Sequence, residues 1–246
     1  MLPVLHRLLI LLFLAGSACA ATMEEANATF AAGDFAKAAS AYEQLLASDG
    51  PTAAGFYNLG NARFKLKDYG PAILAYERAA ILSPRDPDIR TNLKLARSAA
   101  AVPAEAGPDS WWGGAPQWCS LHEWSWITVA GAGLAGSVAL LWGIAGLSRP
   151  WLKRTVVGGI VLGLLGGSLG GTALWHRRGE KNLGIVTAAT APLRLSPFST
   201  ANPAGTPGPG RTVHLGERSN DWVYVTIPGT SQSGWMQDNE VSAIFP

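Results

Sequence analysis

A recurrence at an offset of 34 residues is the feature of this sequence that most restricts how the chain folds. Identical or closely similar residues return at that offset: Asn27 and Asn61, Phe30 and Phe64, Asp34-Phe35 and Asp68-Tyr69, Ala38 and Ala72, Tyr42 and Tyr76, Asn58-Leu59 and Asn92-Leu93. A period of this length is typical of stacked helix pairs, in which each unit buries its apolar face only against its neighbours. We therefore expect an all-α solenoid over residues 21–99.

The second unit carries the residues that a close pair of antiparallel helices needs. Gly60 and Ala72 stand where a larger side chain would hold the two helices apart, and Pro84 would end the second helix. On these residues the stretch 22–98 strongly resembles tetratricopeptide repeats. About three units are usually needed for stability. We expect residues 89–99 to act as a capping helix; otherwise a partner must complete the stack.

The resemblance also implies a role for the repeated asparagines. In the register of the family, first-helix positions that face the concave groove hold Asn27, Asn58, Asn61 and Asn92. In related peptide-binding repeats such asparagines hold a bound chain, and side-chain amides both donate and accept hydrogen bonds. The alternative is that they bond local backbone. Met23 and Asp88 replace lysines that clamp a terminal carboxylate in some relatives, so a carboxylate-specific clamp is not expected.

Residues 1–20 are predicted to be a secretory signal peptide. Arg7 precedes an unbroken apolar run, Leu8–Leu14, and small residues follow it. Ala18-Cys19-Ala20 fits the small-x-small cleavage rule, which makes Ala21 the first mature residue. Two alternatives remain open, a lipoprotein anchored through Cys19 and a retained membrane anchor.

Residues 100–126 are predicted to be a linker that leads onto a membrane surface. Pro103, Gly107 and Pro108 interrupt the helical periodicity. Five tryptophans then follow: Trp111, Trp112, Trp118, Trp124 and Trp126. Indole rings favour the lipid headgroup zone. The alternative is a small aromatic core packed on the repeats.

A transmembrane helical hairpin is predicted over residues 127–175. Ile127–Leu147 and Val156–Leu174 carry no charge, and each is close to the roughly 20 residues that cross a bilayer. The turn at 148–155 carries three cations, which favours the cytoplasmic side. Both soluble domains would then lie outside the cytoplasm. The basic residues within 176–181 oppose this, because they also prefer the inside.

Small residues recur every fourth position in the second of these helices, at Gly159, Gly163, Gly167 and Gly171. Such stripes let helix backbones approach closely in lipid. We expect them to pack the hairpin together; contact with another membrane protein is the alternative.

The remaining residues, 183–246, are predicted to form a small all-β module. Trp222, Tyr224 and Thr226 alternate with apolar residues, as in a half-buried strand. Together with Arg194, Gly216 and Gly234-Trp235-Met236, this segment resembles bacterial SH3-like domains. Trp222 and Trp235 are either part of a barrel wall or a ligand platform. The long loop 196–210 departs from the compact family pattern.

No catalytic constellation is found in the sequence, and we expect neither enzymatic activity nor a cofactor. Cys119 and His122 are two potential ligands, too few for a metal site. A formal net charge of +2 indicates no polybasic surface for nucleic acid. Charged residues make up only 15% of the chain, below the average for soluble proteins.

The order of segments, from signal peptide through repeats and hairpin to SH3-like module, resembles the BatE-type proteins of bacterial aerotolerance (Bat) operons. Those operons also encode von Willebrand A-domain membrane proteins and a MoxR-type ATPase. The resemblance implies a scaffold in the bacterial inner membrane that binds such partners in envelope or oxidative-stress tolerance, with both soluble domains periplasmic. The alternative is a cell-wall module whose barrel binds peptidoglycan while the repeats recruit wall enzymes.

Overall fold

The structure of the chain, a computed structural model, describes residues 22–102, 119–145, 150–179 and 182–245. The predictions for the signal peptide, including Cys19, lie outside the described residues. So do those for Trp111, Trp112 and Trp118, and for Arg149 in the turn between the apolar helices.

Helices that pack on one another in sequence order form the repeat region. They are α1 (Met23–Ala31), α2 (Phe35–Ser48), α3 (Ala53–Lys65), α4 (Tyr69–Leu82) and α5 (Pro87–Ala99). The core between α1, α2 and α3 contains Tyr42, and that between α3, α4 and α5 contains Tyr76; each is 1% exposed. The architecture is a helical repeat consistent with two tetratricopeptide units, followed by one further helix.

Local sequence accounts for where these helices begin and end. The Thr22 hydroxyl accepts from the Glu25 N–H, and the Glu25 carboxylate accepts from the Thr22 N–H. This reciprocal pair is a capping box that starts α1. Asp34 caps α2 through the Lys37 N–H at 3.1 Å. The turn between paired helices needs a left-handed residue, which is Gly33 (φ 86°) in the first unit and Lys67 (φ 61°) in the second.

Position 60 requires a glycine because α3 and α4 approach each other closely there. A Cβ at Gly60 would lie 2.6 Å from the Tyr76 ring, closer than any real contact. The tyrosine therefore fits under α3 only while this position lacks a side chain.

Two long apolar helices follow, α6 (Leu121–Ala145) and α7 (Pro150–Gly179). Their candidate membrane spans are His122–Trp142 and Lys153–Trp175, of 21 and 23 residues. Large apolar side chains such as Leu140 and Leu162 are about two-thirds exposed, at 64% and 67%. Both helices are long and apolar enough to cross a bilayer.

An antiparallel sheet forms the C-terminal module. Its strands are β1 (Leu183–Val186), β2 (Leu193–Arg194), β3 (Pro203–Gly205), β4 (Thr212–Ser219), β5 (Trp222–Thr226), β6 (Ser233–Gln237) and β7 (Val241–Ala243). The strand order is β3-β2-β6-β5-β4-β1-β7. Within the described residues β3 and β7 do not pair, so the sheet stays open and a closed SH3-like barrel is not confirmed. On β5, Val223 and Val225 are fully buried while Trp222 and Tyr224 are half-buried on the other face.

The sheet packs directly on the second repeat unit, a contact that the sequence did not predict. Ile73 of α4, Ile185 of β1 and Ile244 belong to one buried cluster. A Cβ at Gly70 would lie 2.7 Å from the Val186 carbonyl oxygen, so the backbones of α4 and β1 nearly touch. The repeats and the sheet are therefore packed against each other through α4 and β1.

Candidate functional site

Two adjoining concavities on the repeats form the candidate site. The first, about 250 Å³, is lined by Asn27, Phe30, Tyr42, Asn58 and Asn61. The second, about 210 Å³, is lined by Phe30, Asn61, Phe64, Lys65, Tyr76, Asn92 and Leu95. Because Phe30 and Asn61 border both, the concavities join into one groove, which we call the amide groove. All four predicted asparagines line it.

In the first concavity, one amide oxygen is held by two donors. The Oδ1 of Asn27 accepts from the Tyr42 hydroxyl at 2.7 Å and from Nδ2 of Asn58 at 3.1 Å. Nδ2 of Asn58 also lies 3.7 Å from the sulfur of Met23. The tyrosine and the second asparagine thereby orient the Asn27 side chain.

The second concavity repeats this arrangement 34 residues later. The Oδ1 of Asn61 accepts from the Tyr76 hydroxyl at 2.7 Å and from Nδ2 of Asn92 at 3.0 Å. Nδ2 of Asn92 also donates to the Tyr57 hydroxyl at 3.0 Å, where the first unit has Met23. Within the described residues, the hydrogen bonds of these four asparagines join them to other side chains.

Each asparagine pair has amide donors and an acceptor that are not used in the hydrogen bonds above. Among the described residues, no partner is bonded to Nδ2 of Asn27 or Asn61, or to Oδ1 of Asn58 or Asn92. Each pair thus offers unused N–H donors and one unused carbonyl acceptor. A peptide unit of an extended chain carries the complementary acceptor and donor.

Burial keeps the two tyrosine hydroxyls in their donating form. It raises the pKa of Tyr76, and that of Tyr42, above the ordinary value of 10.0. Both hydroxyls are protonated at neutral pH and hold the Oδ1 atoms of Asn27 and Asn61. Tyr42 and Tyr76 recur at the repeat offset, which was the signal in the sequence, but their role in orienting amides required the structure.

The predicted glycine stripe divides into contacting and non-contacting positions. A Cβ at Gly163 would lie 2.7 Å from the Gly131 carbonyl oxygen, so α6 and α7 meet backbone to backbone there. At Gly159 and Gly167 the nearest atoms would be 3.5 and 3.6 Å away, which is ordinary contact, and at Gly171 there is nothing within 4 Å. The close contact beyond Gly167 falls on Gly170, which would meet Thr128.

Two further groups of candidate residues from the sequence lie within the described ranges, one at Cys119 and one on the sheet. No group of three or more His, Cys, Asp or Glu residues in the described ranges could hold a metal ion, and Cys119 forms no disulfide within those ranges. Trp235 contacts Tyr224 edge to face, with ring centroids 5.5 Å apart, on the half-buried face of the sheet.

Comparison with protein families supports the assignment of the repeats. A family model described as tetratricopeptide repeat matches residues 23–87, which span α1 to α4. Tetratricopeptide repeats are protein-interaction scaffolds, and this stretch of the chain is similar to them. Comparisons with curated proteins and with solved structures found no match.

Proposed function

We propose that this protein is a non-enzymatic, membrane-anchored scaffold that binds an extended segment of a partner protein in the amide groove. The observation that carries the proposal is the pair of equivalent amide sites, Asn27–Asn58 and Asn61–Asn92, each with unused donors and an unused acceptor. Apolar rings beside the amides, at Phe30 and Phe64, supply surface for the partner's side chains. A helix in the groove would satisfy its own backbone groups, so an extended chain is the better complement.

The packing of the sheet on α4 supports an anchor that crosses the membrane twice. Val102 and Leu183 belong to the same interface, yet α6 and α7 lie between them in the chain. Two domains in contact share one compartment, so the number of crossings between them is even. The signal peptide and the basic turn favour the periplasmic side of a bacterial inner membrane.

The resemblance to BatE-type proteins suggests partners. They are von Willebrand A-domain membrane proteins and a MoxR-type ATPase system, in envelope or oxidative-stress tolerance. We retain the SH3-like assignment of the C-terminal module as part of this proposal. Its support is the strand content and the alternation along β5, with Val223 and Val225 buried and Tyr224 on the opposite face.

A second candidate function places binding on the sheet. Trp222, Tyr224 and Trp235 remain half-buried on the face opposite the buried valines, and this aromatic surface suits stacking against a ligand such as peptidoglycan. In that case the repeats would recruit wall enzymes.

Photocrosslinking in intact membranes tests the first proposal. A photoreactive residue at Phe30, which borders both concavities, should form adducts with membrane proteins. The double variant Asn58→Ala with Asn61→Ala should reduce adduct yield at least tenfold, since about 1.4 kcal/mol is a factor of ten and each lost amide contributes about 1–3 kcal/mol.

Asn239→Ala provides the matched control, because Asn239 is an exposed asparagine on the sheet module. It should leave the adducts unchanged, and the double variant must retain the helical circular dichroism of the parent. Adducts that survive the double variant would refute groove binding. Adducts that form only from a photoreactive residue at Trp235 would favour the sheet.

A further inference from the structure

The two concavities of the amide groove differ in charge although their asparagines are equivalent. Lys65, at the end of α3, lines the second concavity, whereas no charged residue lines the first. The position 34 residues earlier is Ala31, so the lysine is not part of the repeated pattern. The groove therefore has a direction, with a cation at one end.

The acidic residues of the neighbouring helices do not neutralise Lys65. Within the described ranges Lys65 forms no salt bridge. Glu43 of α2 and Asp68 before α4 both pair with Arg63, at 2.6 and 2.9 Å, and Glu77 of α4 pairs with Arg97. The second concavity is thus lined both by the exposed Lys65 and by Asn92, whose Oδ1 is unused.

Apolar surface surrounds this cation. Leu95, 54% exposed, and the half-buried ring of Phe64 line the same concavity. A partner residue in this place meets an apolar wall and a positive charge together. That combination favours an apolar side chain followed by a carboxylate and disfavours a basic residue.

Resting on the proposed function of the groove, we infer that the partner segment is an extended polypeptide with an acidic side chain next to an apolar one. The carboxylate pairs with Lys65, and the apolar side chain lies against Leu95 and Phe64. Asn61 and Asn92 hold the backbone between them. Lys65 therefore determines both which segments bind and the direction in which they lie.

Two labelled peptides test the inference on the full chain in nanodiscs of neutral lipid. One is fluorescein-Gly-Leu-Glu-Leu-Glu-Leu-Gly, and the other has both glutamates replaced by lysine. Fluorescence anisotropy should show the acidic peptide binding at least fivefold more tightly, with the preference shrinking as salt is raised. Lys65→Glu should reverse the preference.

Lys37→Glu is the matched control, since Lys37 is an exposed lysine on α2 that lines neither concavity. It should leave the preference as in the parent. The inference would be overturned if both peptides bound equally and Lys65→Glu changed neither affinity. Groove binding would still stand if that binding were lost in the variant with Asn58→Ala and Asn61→Ala. Binding of neither peptide would count against the inference and the groove together.

Discussion

Arg78 of the second repeat unit donates from Nη2 to the carbonyl oxygen of Ala243, 2.8 Å away and 165 positions later in the chain. Its Nε also donates to the Ile244 carbonyl oxygen at 3.2 Å, and its guanidinium lies 5.7 Å from the centre of the Phe56 ring. Burial lowers the pKa of Arg78 below its ordinary value of 12.5, yet it stays charged at neutral pH. One side chain thus connects the repeats to the last strand of the sheet.

Removing this donor should loosen the sheet from the repeats. Arg78→Met keeps the aliphatic length but leaves the Ala243 and Ile244 carbonyls without their charged donor, a loss of about 1.5–3 kcal/mol. Hydrogen–deuterium exchange should accelerate in β1 and β7. Arg218→Met, which breaks an exposed pair with Asp238, should have little effect. Unchanged exchange in Arg78→Met would show that apolar packing alone holds the interface.

The buried tyrosines should make the repeats sensitive to alkaline pH. Because folding raises the pKa of Tyr42 and Tyr76, the folded state keeps both protons while the unfolded chain loses them above pH 10.0. The stabilisation is therefore complete below pH 10.0 and declines as pH rises above it. The melting temperature, followed by helical circular dichroism, should fall over that range.

Replacing both tyrosines by phenylalanine isolates their share of this alkaline loss. At neutral pH the free energy of unfolding of the double variant should be lower by about 1 kcal/mol for each lost hydrogen bond. Its melting temperature should fall less steeply than that of the parent above pH 10.0. An alkaline fall as steep as in the parent would assign the effect to other groups.

Substitution by leucine should have different effects at two glycines of the same stripe, because only one of them contacts the neighbouring helix. Gly163→Leu forces bulk against the Gly131 backbone and should separate α6 from α7, with a loss of about 1–3 kcal/mol. Gly171→Leu points into open space and should change nothing. Spin labels at the exposed positions Leu134 and Leu162, in a cysteine-free background, report the helix separation. Equal distances in both variants would contradict backbone contact at Gly163.

Reporter fusions should establish the topology. A reporter active only outside the cytoplasm should work after Ala101 and after Pro246, and should fail at Lys153. The expected result follows from the shared interface of the repeats and the sheet, with Lys153 and Arg154 at the start of α7 held inside. Activity at Lys153, or none at Pro246, would refute the two-crossing arrangement.

Much of the architecture could be predicted from the sequence because it depends on local periodicity. The recurrence of Asn27, Tyr42 and their counterparts at 34 residues predicted the helical repeat, which the family comparison confirms over residues 23–87. Apolar run length predicted two helices that can cross a bilayer, and alternation along residues 222–227 predicted a half-buried strand. These patterns suffice because each element buries a face set by its own period.

Tertiary structure alone decided the relations between segments distant in the chain. The resemblance to tetratricopeptide repeats implied that Asn58 and Asn92 line a groove, but it did not predict their hydrogen bonds to Asn27 and Asn61, because side-chain orientation depends on the neighbouring helix. The fourfold spacing that included Gly171 could not show which glycines face α6, because that choice depends on how the two helices cross. The docking of Arg78 on Ala243 had no signal in the sequence, since a contact over 165 positions follows only from how the domains pack.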